Sequence, residues 1–451
     1  MTHEVDQLAF TAVFGDDRAK AEARKQIHLQ ARKSGAISST ISPLYAAMGR
    51  DEVKRQFTVP AFNIRLLTYD TARALFRAAM RHNVGPFIFE IARSEIGYTE
   101  QRPAEYSACV LAAAMREGYK GPVFIQGDHF QASAKKWATD EERHSEIKAM
   151  ESLIDEALAA EFYNIDIDTS TLVDLSFKTR EEQQRNNYVF TAHFTKYIRA
   201  RQPKGIEVSV GGEIGEVGKY NTQPDEVRAY MEGLKRHLGG VPGISKISVQ
   251  TGTSHGGVPL ADGSIAQAKI DFNVLRQVTE IGRGEYHIAG SVQHGASTLS
   301  EEVFNKFPEN RAVEIHLATG FQNMVLDAPW LPRQMKDEIR QFCFHNAADE
   351  RKTGETDEQF VYKTRKKAIG PFKRKMWELP PESKQPIIDA LEKKFEFLME
   401  KLAVYNTRDV IEKYVPAVAT ELPRYAAASA DRKSTRLNSS HLPTSRMPSS
   451  A

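Results

Sequence analysis

The chain has 451 residues, 41% of them hydrophobic and 27% charged, with 61 Lys and Arg against 59 Asp and Glu. That composition suits a soluble globular enzyme with a large core and excludes global charge as a driver of nucleic-acid binding. Cys109 and Cys343 are too few for a disulfide scaffold, and no apolar run is long enough to span a bilayer. The N-terminus, MTHEVDQLAF, lacks a basic region followed by an apolar core, so no signal peptide is expected and the cytoplasm is the expected compartment.

In chain order, residues 1–57 read as a helical and irregular extension, with AKAEARKQIHLQARK giving way to the turn-rich SGAISSTISP. After Thr58 come eight short apolar runs: VPAFN from Val59, PFIFEIA from Pro86, VFIQG from Val123, FYNIDID from Phe162, IEVSV from Ile206, KISVQT from Lys246, YHIAGSV from Tyr286 and AVEIHLA from Ala312. Runs of this length, apolar throughout, are what strands buried on both faces look like. Helix-like stretches lie between them, such as that from Thr68, which puts Leu75, Ala78 and Ala79 on one face. Strand alternating with amphipathic helix argues for parallel βαβ units, and eight units over residues 58–327 predict one closed (β/α)₈ TIM barrel. An open doubly wound sheet is the rival, but no GxGxxG follows the first strand.

Residues 328–430 read as a charged, helical C-terminal region. Ile387, Leu391, Phe395, Leu398 and Leu402 recur there at helical spacing, a stripe for the barrel wall or for a second subunit. Residues 431–451 are Ser/Arg/Pro-rich and without periodicity, expected to be disordered and resembling translated linker or adapter sequence. His441 is therefore left out of any site.

Four residues close strand-like runs in glycine-rich surroundings: His129, Glu213, His255 and His294. Three imidazoles and a carboxylate are ligand types of a catalytic divalent metal. On parallel barrel strands all four would arrive at the C-terminal face, where such barrels do their chemistry. Asp128, beside His129, is placed either to hold a ligand or trade protons with substrate, or to cap the following QASAKK segment.

These motifs resemble the class II, metal-dependent fructose-bisphosphate and tagatose-bisphosphate aldolases, from about Val59 to Asp327 and more weakly beyond. VPAFN, ending at Asn63, is similar to the family's opening strand. GDH at His129, GGEIGEVG at Glu213, SHGG at His255 and QHGAS at His294 follow in the family's order. The resemblance implies that His129, His255 and His294 ligate zinc, that Glu213 ligates part of the time, and that Asp128 protonates the aldehyde oxygen. Asp168 matches a family carboxylate near the metal. A ketose phosphate such as dihydroxyacetone phosphate would chelate the ion, its phosphate held by backbone N–H groups around Gly256, Gly257, Gly295 and Ser297, with Thr298 to Glu301 as a capping box.

The chain also departs from the family. The loop that carries the family's proton-abstracting glutamate reads VGKYNTQP here, leaving Glu216 as the nearest carboxylate, with Tyr220 and Asn221 in the expected region. Strand eight ends in His316-Leu-Ala318-Thr319 instead of Asn-Ile-Asp-Thr, so His316 and Thr319 stand where the family contacts substrate and phosphate. Pro259 and Leu260 replace a lysine after the strand-six His-Gly, with Lys269 farther along. The run KTRKKAIGPFKRK resembles the family's late basic segment and offers Arg365 or Lys366 to a phosphate, or else is a solvated basic face.

The function expected is zinc-dependent cleavage or formation of a ketose bisphosphate, such as fructose 1,6-bisphosphate from dihydroxyacetone phosphate and glyceraldehyde 3-phosphate. Cobalt, iron or manganese also suit the ligands, and the resemblance leaves room for a monovalent cation. A homodimer or homotetramer is expected, with a phosphosugar substrate and neither nucleic acid nor membrane as partner. The alternatives are an aldolase for a different phosphosugar, or a non-catalytic aldolase-like partner subunit. An amidohydrolase would want His-x-His where the first strand ends in Phe62-Asn63. A Schiff-base aldolase would want a strand-end lysine.

Overall fold

The computed structural model describes residues 2–214, 220–252, 270–296, 299–416 and 418. Nine strands form one sheet: β1 (Ala36–Ser39), β2 (Val59–Asn63), β3 (Ile88–Ala92), β4 (Gly121–Gln131), β5 (Asn164–Asp168), β6 (Ser209–Glu213), β7 (Lys246–Val249), β8 (Ser291–Gln293) and β9 (Glu314–Leu317). β2 to β9 pair in sequence order, every pair parallel, and β9 pairs back onto β2. The result is a closed eight-stranded (β/α)₈ barrel with helices outside, which leaves no open edge in the ring.

β1 was not expected. Its Ser-rich sequence reads as turn, yet it pairs with the first four residues of β4, Ala36 to Gly121 through Ser39 to Phe124. β4 meets β5 only from Gln126 onward, so β1 fills the gap below β5. Asn164 stitches the junction: its side chain donates to the Ser39 and Ile125 carbonyls and accepts from the Ile41 N–H. Such side-chain bonds satisfy backbone groups that a ladder would otherwise pair.

The helix Thr68–Arg81 buries Leu75, Ala78 and Ala79 as its periodicity predicts. The long helix Pro381–Lys401 lies against it, with Glu392 joining Arg77 (2.6 Å) and Arg81 (2.9 Å). Its stripe, Ile387 to Leu402, is buried on this chain's own barrel, where the Phe395 ring sits 5.2 Å from both Phe62 and Phe321. The stripe is thus spent within the chain and does not face a second subunit. No described helix is long and apolar enough to cross a membrane. The tail 431–451, with His441, lies outside the described residues.

The barrel bore is charged, where such bores are usually filled by branched aliphatics. Side chains two apart on a strand share a face, so Glu90, Gln126, Asp166, Lys246 and Glu314 meet in one layer. Lys246 Nζ contacts Asp166 (3.0 Å), Gln126 (2.8 Å) and Glu314, and Tyr45 from the N-terminal segment donates to Glu314. The next layer toward the strand C-termini is the site.

Candidate metal centre at the barrel mouth

β4 carries the local feature that builds the site. Its register with β5 jumps between Gly127 and Phe130, so Asp128 and His129 together face one partner residue. This is a β-bulge, which re-aims side chains next to active sites. His129 takes φ +40°, an uncommon conformation for a non-glycine residue. A Cβ at Gly127 would lie 2.5 Å from the Phe130 ring, so glycine is needed for the chain to fold back there. The bulge turns two adjacent residues, which a regular strand would point to opposite faces, toward the same mouth.

Donor atoms of His129, Glu213 and His294 lie within 4.8 Å of one another. His129 Nδ1 is 3.1 Å from Glu213 and 3.3 Å from Asp168, and the His129 and His294 rings are 4.1 Å apart between centroids. Ser248 Oγ is 2.9 Å from His294 Nε2, holding that ring from the far side. Gln131 donates to Asp168 and Ser170 N–H bonds its other oxygen (3.0 Å), so the carboxylate beside His129 is itself fixed. Imidazoles plus a carboxylate, backed by such outer contacts, are a fitting donor set for a divalent ion.

The charges press on one another. Burial, then Asp168, raises Glu213 to about 7, against the pull of His129. Burial disfavours protonated His129, but Asp128 and Glu213 outweigh it and hold the imidazole well above its ordinary value. Burial likewise pushes Asp168 up, but the hydrogen bond and charge of His129, with the Ser170 and Gln131 hydrogen bonds, together outweigh it and leave that carboxyl below its usual range. Without a metal, protons compensate these carboxylates.

Asp128 caps no helix among the described residues. Its carboxylate lies 3.2 Å from His316 Nδ1, 3.4 Å from Asn63 Nδ2 and 4.0 Å from His294 Nδ1. Asn63 also donates to Glu95 (2.7 Å), which pairs with Arg65 (2.5 Å). Above this floor opens a cleft of ≈ 1360 Å³, with Gly295 and Thr319 on its wall and Arg65, Arg93, Lys135, Lys136, Lys352 and Lys366 among its cations. Lys366 has no carboxylate partner among the described residues, and its Nζ sits 5.7 Å from the Tyr98 ring centroid. Burial, then Arg65, lowers its pKa.

Two expected phosphate contacts are placed elsewhere. Arg365 is committed to Asp327 and Asn323 (2.8 Å) and does not line the cleft. His316 lies on the floor among Glu90 (2.9 Å), Asp128 and Glu314 (2.7 Å), and carboxylates on that many sides repel a phosphate. Glu216, His255, Gly256, Gly257, Lys269, Ser297 and Thr298 lie outside the described residues, and Tyr220 is exposed. Sequence reasoning missed Glu90, Asp166, Lys246, Glu314, Arg65, Glu95 and Ser248. The signal for the bore residues was there: polar residues alternate along FYNIDID, KISVQT and AVEIHLA, and Glu90 stands alone inside PFIFEIA, all runs read as apolar throughout.

Solved structures with similar folds include fructuronate-tagaturonate epimerase from Cohnella laeviribosi, at 11% identity and TM-score 0.53, covering 88% of this chain and 86% of that one. A probable tagatose 6 phosphate kinase from Sinorhizobium meliloti 1021 has 13% identity and TM-score 0.51, covering 80% and 99%. Fructose-bisphosphate aldolase from Campylobacter jejuni has 19% identity and TM-score 0.46, covering 82% and 96%. No curated protein matches the chain. The sequence profile described as "Fructose-bisphosphate aldolase class-II" matches residues 45–376, from the N-terminal segment through the whole barrel and into the C-terminal helices. The chain belongs to the class II fructose-bisphosphate aldolase family.

Proposed function

We propose that this protein is a divalent-metal-dependent aldolase that cleaves or forms a ketose bisphosphate, fructose 1,6-bisphosphate or a close phosphosugar. The observation that carries the reading is the convergence of His129, Glu213 and His294 at the C-terminal mouth of a parallel barrel, under a cleft rich in lysine and arginine. A divalent ion held there, zinc by preference, with His255 as a further ligand, supplies Lewis-acid stabilisation of the negative charge that develops on the ketose oxygens. Asp128 donates a proton to the aldehyde oxygen in condensation, and in cleavage takes the hydroxyl proton of the breaking carbon skeleton. Asn63 and His316 orient its carboxylate, while Asp168 orients His129. Lys366 and its neighbours draw in the substrate phosphates. Glu216 stands as the base that removes the carbon-bound proton. A homodimer or homotetramer is the assembly that family membership favours.

The test is fructose 1,6-bisphosphate cleavage by purified protein, before and after chelation, with zinc added back. Activity lost to chelator and restored by zinc is expected, with a His294→Ala variant at least 100-fold slower. Cleavage that survives complete chelation would overturn the metal mechanism. Metal-dependent cleavage of tagatose 1,6-bisphosphate alone would move the substrate and keep the mechanism.

A further inference from the structure

The geometry points to a second, deeper divalent-cation seat in this chain, formed by Asp128, His294 and His316 and alternative to the seat at His129, Glu213 and His294. It rests on the reading of the mouth as a metal centre. Donor atoms of the three residues lie within 4.8 Å of one another, and all three are buried. His316 Nδ1 and His294 Nδ1 face the same Asp128 oxygen, at 3.2 and 4.0 Å.

Two further observations favour an ion there. First, the contacts of His316 are close without being hydrogen bonds. Nδ1 is 2.9 Å from Glu90 and Nε2 is 2.7 Å from Glu314, yet neither nitrogen is aligned to donate or accept, and Glu90 Oε1 has no hydrogen-bond partner among the described residues. Buried nitrogens and oxygens left without hydrogen-bond partners have lone pairs that a shared ion can fill. Second, four carboxylates are crowded together. Glu90, Asp128, Asp166 and Glu314 are each at most 6% exposed, and the basic groups against them among the described residues include Lys246 and the His316 imidazole. Buried carboxylates need compensating positive charge, which protons supply in the metal-free protein and a dication beside Asp128 and Glu90 would supply in the loaded one.

The neighbouring group of Asp166, Glu314 and His316 is a weaker candidate, because the Lys246 ammonium already sits against both of its carboxylates. His294 has only Nδ1 to offer, since Nε2 is bonded to Ser248. The two seats are therefore exclusive, with His294 as the ligand common to both. An ion in the deeper seat ties up Asp128, so that seat holds metal without supporting catalysis.

The test is Co²⁺ titration of metal-free protein, read by visible absorption and equilibrium dialysis, for wild type, the mouth variant His129→Asn/Glu213→Gln, His316→Asn, and all three substitutions together. The mouth variant and His316→Asn are each expected to keep one equivalent of Co²⁺ within about tenfold of the wild-type Kd, with distinct absorption bands, and the triple variant to lose about 100-fold or more. If His316→Asn changes neither Kd nor spectrum in the mouth-variant background, the deeper seat is overturned and the mouth site stands. If wild type binds no Co²⁺, both are overturned. Should the triple variant fail to fold, anomalous diffraction from Zn²⁺-soaked crystals of the mouth variant decides. A peak among Asp128, His294 and His316 supports the seat, and a peak elsewhere or no peak overturns it.

Discussion

His129 at φ +40° shows how one residue's conformation sets the chemistry of the mouth. Left-handed backbone at a non-glycine residue costs about 1–3 kcal/mol and persists where surrounding packing over-determines it. Here the Phe130 ring, folded against Gly127, is that packing. Gly127→Ala puts a methyl where the ring lies, so the bulge must shift. The expected outcome is a Co²⁺ Kd weakened by about tenfold or more, since misaimed ligands cost that much. An unchanged Kd would mean that the bulge does not aim His129. The same residues predict a pH dependence of the metal-free protein. Glu213, near 7 when folded, keeps its proton after the unfolded chain has released it above 4.5. Stability therefore falls as pH rises from about 4.5 to 7, and His129, raised above 6.5, extends the fall upward. Saturating divalent metal replaces those protons and opposes the trend. Melting of chelated protein from pH 5 to 8 checks this, and a Tm that rises with pH in the absence of metal would contradict it. The ligand candidates were legible because His and Glu stand out at the ends of apolar runs. The bulge was not, because it depends on how Phe130 packs.

The eight barrel strands were legible for a physical reason: strands covered on both faces must be short and nearly free of charge at their outward positions. β1 escaped because its Ala-Ile-Ser-Ser sequence has a turn's composition. What makes it a strand is the free lower edge of β4, a tertiary fact. The charged bore escaped for a related reason. Glu90, Asp166 and Glu314 each sit within apolar runs, and only barrel closure shows that they meet. The long helix Pro381–Lys401 was legible as amphipathic but not as to its partner, since an apolar stripe does not name what it buries against. Phe395 is its anchor, fully buried between Phe62 and Phe321. Phe395→Ala is expected to cost about 3–5 kcal/mol in urea unfolding, with the folded protein's metal affinity kept. A loss under about 1 kcal/mol would mean that this helix is not integral to the barrel wall.

Over the whole molecule, sequence and fold divide the work by layers. The outer helices and the lower barrel carry stability through a continuous apolar core. The bore gives up part of that core to carboxylates, with Lys246 among them. The mouth places imidazoles and a carboxylate over this acidic floor and surrounds them with cations. An acidic floor favours a divalent cation, and a basic rim favours a phosphorylated substrate, so the two fields are stacked in the order that the proposed metal-dependent reaction on a phosphosugar would use. The most direct measurement is a zinc titration of chelated protein followed by fructose 1,6-bisphosphate cleavage. The account predicts that activity climbs in proportion to added zinc and levels off at about one equivalent per chain. Activity that is already maximal without zinc, or that stays at the background rate while zinc binds, would contradict it.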